Sequence, residues 1–170
     1  TGIISILPIA NSFTHLINPM RENSALLTSD QREIFLQQLR QETAGLHKDL
    51  ENTWLSKKLL SPDLLPLDYA LYLSAMQQVM LFTEENAFPY LLSIIPDLVK
   101  RKKTAWLTAD LQNLAILINE IPAFKPQIAT SSPSYFLGMM YVIEGSTLGG
   151  RVILKQLPAQ LQNSTHFFSG

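Results

Sequence analysis

Three glycines inside one apolar run constrain this chain more than any other feature. The stretch Tyr141-Val-Ile-Glu-Gly-Ser-Thr-Leu-Gly-Gly-Arg151 is embedded among Phe136, Leu137, Met139, Met140, Val142, Ile143, Val152, Ile153, Leu154 and Leu157. That patterning is helical, yet Gly145, Gly149 and Gly150 all fall within it. Each glycine costs about 1 kcal/mol relative to alanine in a helix interior, so the trio costs about 3 kcal/mol. A chain keeps such a cost where backbone must approach something closely or bend. Two readings are open. One is tight helix–helix packing or a loop joining two short helices. The other is a bent helix laid over a flat ligand.

The remaining helical signals place this stretch last in a series. Thr28-Ser29-Asp30-Gln31 is a capping-box start, a hydroxyl followed three residues on by glutamine. It opens a helix expected from Ser29 to about Trp54, with Ile34, Leu36, Leu39, Leu46 and Leu50 as its apolar stripe. Ser61-Pro62-Asp63 breaks the pattern, and Pro66 suits the first turn of a second helix, from Leu67 to about Phe82. Further helices are expected from Glu84 to Ile95, from Lys102 to Asn119, and from near Ser134 through the glycines to Leu157. Strand signals are weak throughout, so the fold class is an all-α bundle. Residues 1–27 show no sustained period and read as a weakly structured N-terminal extension before a helical domain over 28–170. Met20 is expected near the natural start. The apolar end Thr165-His-Phe-Phe-Ser-Gly170 reads as the approach to another element, so the domain is expected to be C-terminally truncated.

Composition removes several classes of function. A chain of 170 residues with 46% hydrophobic content can bury a real core. Its net charge of −1 gives no global attraction to nucleic acid or anionic membrane, and neither is expected as a partner. There is no cysteine, hence no disulfide framework, thiolate metal site or cysteine nucleophile. This suits a reducing compartment, and a cytoplasmic protein is expected. No apolar run is long enough to span a bilayer, and the short Gly2–Ala10 stretch lacks the basic flank of a signal peptide. Ligands to a soft metal must come from methionine or from His15, His47 and His166.

Thr43, His47 and Glu51 are spaced four apart and share one face of the first helix, with Arg40 two turns before His47 on nearly the same side. A ligating imidazole bonds metal through one nitrogen and usually donates its other N–H to an acceptor that fixes its tautomer. Glu51 is placed to be that acceptor, although a simple surface pair has the same spacing. No Gly-x-Ser-x-Gly elbow, His-x-x-x-His or Glu-x-x-His pair, or phosphate-binding Gly-x-x-x-x-Gly-Lys loop occurs. Glu84 and Glu85 are adjacent and read as solvated.

Leu39-Arg-Gln-Glu-Thr-Ala-Gly-Leu-His-Lys-Asp-Leu-Glu51, followed by Tyr141-Val-Ile-Glu-Gly-Ser-Thr-Leu-Gly-Gly-Arg-Val-Ile153, resembles the heme oxygenases, most of all the bacterial branch associated with bacteriophytochromes. The segments Asp68-Tyr-Ala-Leu-Tyr-Leu73 and Lys103-Thr-Ala-Trp-Leu-Thr-Ala-Asp-Leu111 are similar to the family more loosely, and the likeness spans about residues 30–170. The resemblance implies heme between a proximal helix bearing the iron ligand His47 and a distal helix kinked at Gly145, Gly149 and Gly150. It implies that Glu51 tunes His47, that Arg40 or other basic residues pair with the propionates, and that Thr43 and Tyr141 belong to the heme site. The implied reaction consumes O2 and electrons from a donor such as a ferredoxin or a flavin reductase, and yields biliverdin, CO and ferrous iron. Heme is then both cofactor and substrate. Many relatives carry an aspartate in the glycine segment that orders distal water; Ser146 stands in that place here, without the charge assistance. The alternatives are a heme sensor or carrier that leaves its ligand intact, and a structural helical module that binds none. The run Lys100-Arg-Lys-Lys103 reads as a solvated turn or as a dock for an acidic electron donor.

Overall fold

Side-chain caps decide where the long helices start and stop. The computed structural model describes residues 28–118 and 132–170, and for residues 32, 46 and 146–148 the backbone alone. Thr28 and Gln31 close the expected capping box, with the Gln31 amide donating to the Thr28 hydroxyl and the Thr28 amide to the Gln31 side chain. Helix α1 runs Ser29–Glu51, short of Trp54, because Thr53 caps a new short helix, α2, Trp54–Leu59. Its hydroxyl accepts from the Ser56 amide at 3.3 Å.

Pro66 opens α3, which runs to Asn86, beyond the expected Phe82. The helix expected over 84–95 shrinks to one turn, α4, Phe88–Leu91, because α3 absorbs its start and Pro89 and Pro96 bracket the rest. A 3-10 turn at Leu98–Arg101 leads to α5, Thr104–Leu114. Glu84, read from sequence as solvated, instead caps this helix from α3. Its Oε1 accepts the amides of Lys103 and Thr104 at 2.8 and 2.9 Å. Orphan amides at a helix start take an anionic acceptor well. The helix ends early because Ala115 turns left-handed, with φ 52°. Helix α6, Pro133–Gln156, starts on the Ser132 cap, and a 3-10 turn at Ala159–Leu161 precedes α7, His166–Ser169. The described residues form no strand. The extension over 1–27, His15, and Pro122 and Pro126 lie outside the described residues.

Helix α6 is continuous through the glycines, and no described glycine has positive φ. That removes the loop between two short helices as a reading of the stretch. The core gathers around α3 and α6: Tyr69, Leu73, Met76, Val79 and Met80 meet Tyr135, Phe136, Met139 and Ile143, closed by Leu91, Leu107 and Phe167. Helix α1 is different. Leu39 is buried, while Ile34 and Leu36 stay exposed, so this helix leans on the core rather than joining it. No described helix is long and apolar enough to cross a membrane.

The C-terminal phenylalanines are core residues, held by a carboxylate. Asp110 on α5 is fully buried. Its Oδ1 accepts the His166 amide at 2.9 Å and lies 2.6 Å from His166 Nδ1, while Oδ2 accepts the Phe167 amide at 2.9 Å. The Tyr69 hydroxyl donates to the Ser164 carbonyl at 2.7 Å in the same segment. Asp110→Ala leaves buried amides without acceptors, and we expect it to cost about 2–3 kcal/mol in urea unfolding. Asp110→Asn, which keeps one carbonyl acceptor, should cost less.

Candidate functional site

A cavity of about 420 Å³ separates α1 from α6. His47, Leu50 and Glu51 of α1 form one wall. Val142, Ile143, Gly145, Gly149 and Ile153 of α6 form the other, and Leu59, Leu60, Tyr72 and Met76 close the back. Val142, Gly145, Gly149 and Ile153 recur at intervals of three and four, so they form one stripe along α6. The stripe is branched at its ends and bare in the middle. The cavity is therefore a slot whose centre lets a flat apolar molecule reach the helix backbone.

His47 stands at this slot with Nε2 3.2 Å from Glu51 Oε1. Both side chains are about two-thirds exposed, at 66% and 67%. A pair that open to water adds little stability. In this geometry Nε2 faces Glu51. Among the described residues no group of three or more histidines, cysteines or carboxylates could hold a bare metal ion. A metal that brings most of its own ligands needs only one imidazole from the protein, and His47 is a histidine that lines the slot.

The glycines divide between two tasks. A Cβ built on Gly145 or Gly149 would meet nothing within 4 Å. One built on Gly150 would lie 2.7 Å from Cδ1 of Phe168. Adjacent positions on an α-helix point about 100° apart, which is why Gly149 and Gly150 part company. Close packing thus accounts for Gly150. At Gly145 and Gly149, as at Gly45, the described residues supply no neighbour that a methyl would strike. The sequence reading grouped Gly150 with the other two over the iron; here it faces Phe168 and stays off the slot.

A second cavity, of about 580 Å³, also touches Gly145 and is lined by more polar groups. Arg40, Lys103, Tyr141, Glu144 and Arg151 line it, together with Phe168. The Lys103 ammonium lies 5.8 Å from the Trp106 ring centre and 5.6 Å from that of Phe167. Burial pushes its pKa down, and nearby Glu144 opposes that shift. The basic run at 100–103 is therefore not one surface patch. Arg101 reaches Asp97 at 3.2 Å and Glu144 at 3.5 Å, Lys103 turns inward, and Lys100 and Lys102 stay exposed.

The slot thus brings together His47, Glu51, Gly145 and Gly149 from the sequence-predicted residues, and the second cavity takes Arg40 and Tyr141. Thr43 lies apart from both sets; its hydroxyl donates to the Leu39 carbonyl of its own helix at 2.8 Å. For Ser146 only a place in the α6 backbone is described. Sequence reasoning missed Tyr72, Met76 and Lys103. Tyr72 and Met76 are four apart on α3, a spacing that also marks ordinary core. Lys103 was hidden in a basic run.

Compared with known proteins, the chain matches the family model described as Heme oxygenase over residues 33–168. No curated protein and no solved structure matches it.

The division among the glycines has opposite consequences for substitution. Gly150→Ala overpacks against Phe168 and should cost about 1–3 kcal/mol in thermal or urea unfolding. Gly149→Ala gains helix propensity without a clash and should stabilise the ligand-free protein by up to about 1 kcal/mol. The same added methyl projects into the slot, so Gly149→Ala should bind a flat ligand less well than the parent.

Proposed function

The chain belongs to the heme oxygenase family, and on that premise we propose that it cleaves heme to biliverdin, CO and ferrous iron, using O2 and external electrons. The observation that carries this reading is the open space over Gly145 and Gly149, facing His47 across an apolar slot. Bare backbone at these two positions of the slot, with no described neighbour against it, leaves room for a flat ligand. Bound heme supplies the iron that activates O2 and the porphyrin that is cleaved. The chain's own residues supply position. His47 would hold the iron, with Glu51 as the carboxylate beside it, and a neutral imidazole would suit this chemistry where a thiolate would favour O–O cleavage of another kind. Gly145 and Gly149 keep side chains away from the oxygen side. Val142, Ile153, Leu50 and Met76 would cover the macrocycle and exclude bulk water. Arg40, Lys103 and Arg151 in the second cavity meet the propionates, since charge-assisted bonds to carboxylates are strong. By the family resemblance, Ser146 would take the part that an aspartate plays in many relatives. Lys100 and Lys102 face solvent and receive an acidic electron donor such as a ferredoxin.

The decisive experiment is hemin with a reductant and O2. Decay of the Soret band with growth of a biliverdin spectrum supports the reading; a stable complex without turnover indicates a heme carrier instead. His47→Ala should lose the histidine-ligated spectrum, and Glu51→Gln should lower heme affinity or turnover by roughly tenfold. Because α1 leans on the core mainly through Leu39, hemin should also slow amide exchange across Ser29–Glu51, which hydrogen-exchange mass spectrometry would read directly.

A further inference from the structure

Four polar side chains line the slot: His47, Glu51, Ser56 and Tyr72. His47 and Glu51 are joined to each other. Ser56 accepts the Thr53 hydroxyl at 2.9 Å. The fourth, Tyr72, is a phenol beside Leu59, Leu60 and Met76, and its ring is packed in place. Its ring stacks on Phe168 with centroids 5.9 Å apart and planes 15° from parallel. Phe168 in turn packs against the Gly150 face of α6 and the edge of Phe167, whose amide is bonded to buried Asp110. The ring of Tyr72 is thus fixed against the same helix whose Gly145 and Gly149 line the slot. Burial raises the Tyr72 pKa, so the group is a neutral donor across the physiological range.

We propose that Tyr72 is a hydrogen-bond donor of the slot, positioned by Phe168, which steadies the small oxygen ligand or water held beside Gly145 and Gly149. It would share the polar task otherwise left to Ser146. The inference rests on the heme reading above. A phenol suits the task because it donates without bringing charge into an apolar cavity, where an unpaired charge is costly.

The test compares wild type with Tyr72→Phe, which keeps the ring and its stack and removes only the hydroxyl. Equal melting temperatures would establish equal folds. Hemin titration should give the same affinity for both, because the axial ligand is intact. In the reduced, CO-loaded proteins the infrared C–O stretch should move to higher frequency in Tyr72→Phe, as it does when a donor is withdrawn from bound CO. Turnover should show a threefold to roughly tenfold fall in kcat at unchanged KM, the range set by one hydrogen bond. Identical C–O bands and identical kcat in two proteins that both bind hemin would overturn this inference and leave the heme reading standing. Failure of wild type to bind hemin at all would overturn both.

Discussion

The structure depends on one helix that dispenses with side chains on two of its faces for two different reasons. At Gly150 the missing Cβ admits the ring of Phe168, so α6 and the C-terminal segment can close on each other. At Gly145 and Gly149 the missing Cβ leaves open space facing α1. Glycine in a helix interior costs about 1 kcal/mol, and the close approach of Phe168 accounts for it at Gly150 alone among these three. The remaining architecture holds α6 still while leaving that second face uncovered.

Two carboxylates do much of the holding, and neither lies in the slot. Glu84 of α3 satisfies the first amides of α5, and Asp110 of α5 satisfies the first amides of α7. Each ties the start of one helix to the side of another, so α3, α5 and α7 form a linked frame behind the slot. Through Phe168 that frame reaches both Gly150 and Tyr72. Helix α1 stands outside it, with Leu39 as its buried contact and most of its surface in water. The rigid wall of the slot is therefore α6, and the wall bearing His47 is the looser one.

Much of this was legible before folding was considered. The capping box at Thr28 and Gln31, the proline at the start of α3, and the all-helical character follow from local chemistry, because caps and periodicity act over a few residues. The boundaries that failed did so through local rivals or distant partners. Thr53 started a new helix where α1 was expected to continue, and Ala115 ended α5 early. Glu84 looked solvated because its partners, the amides of Lys103 and Thr104, are remote in sequence. The basic run at 100–103 looked uniform because sequence does not say that Arg101 meets Glu144 or that Lys103 turns inward.

By itself, the sequence determined an all-α chain, His47 paired with Glu51 one turn on, and a glycine-bearing helix resembling that of the heme oxygenases. These are matters of spacing along a helix, and a spacing of four residues means the same thing in any fold. Only the tertiary structure decided which glycine packs against Phe168, which two line the slot, and that Tyr72 stands there too. Nothing in the run Gly149-Gly150 separates the two glycines; the 100° turn between them does, once Phe168 lies on one side and α1 on the other.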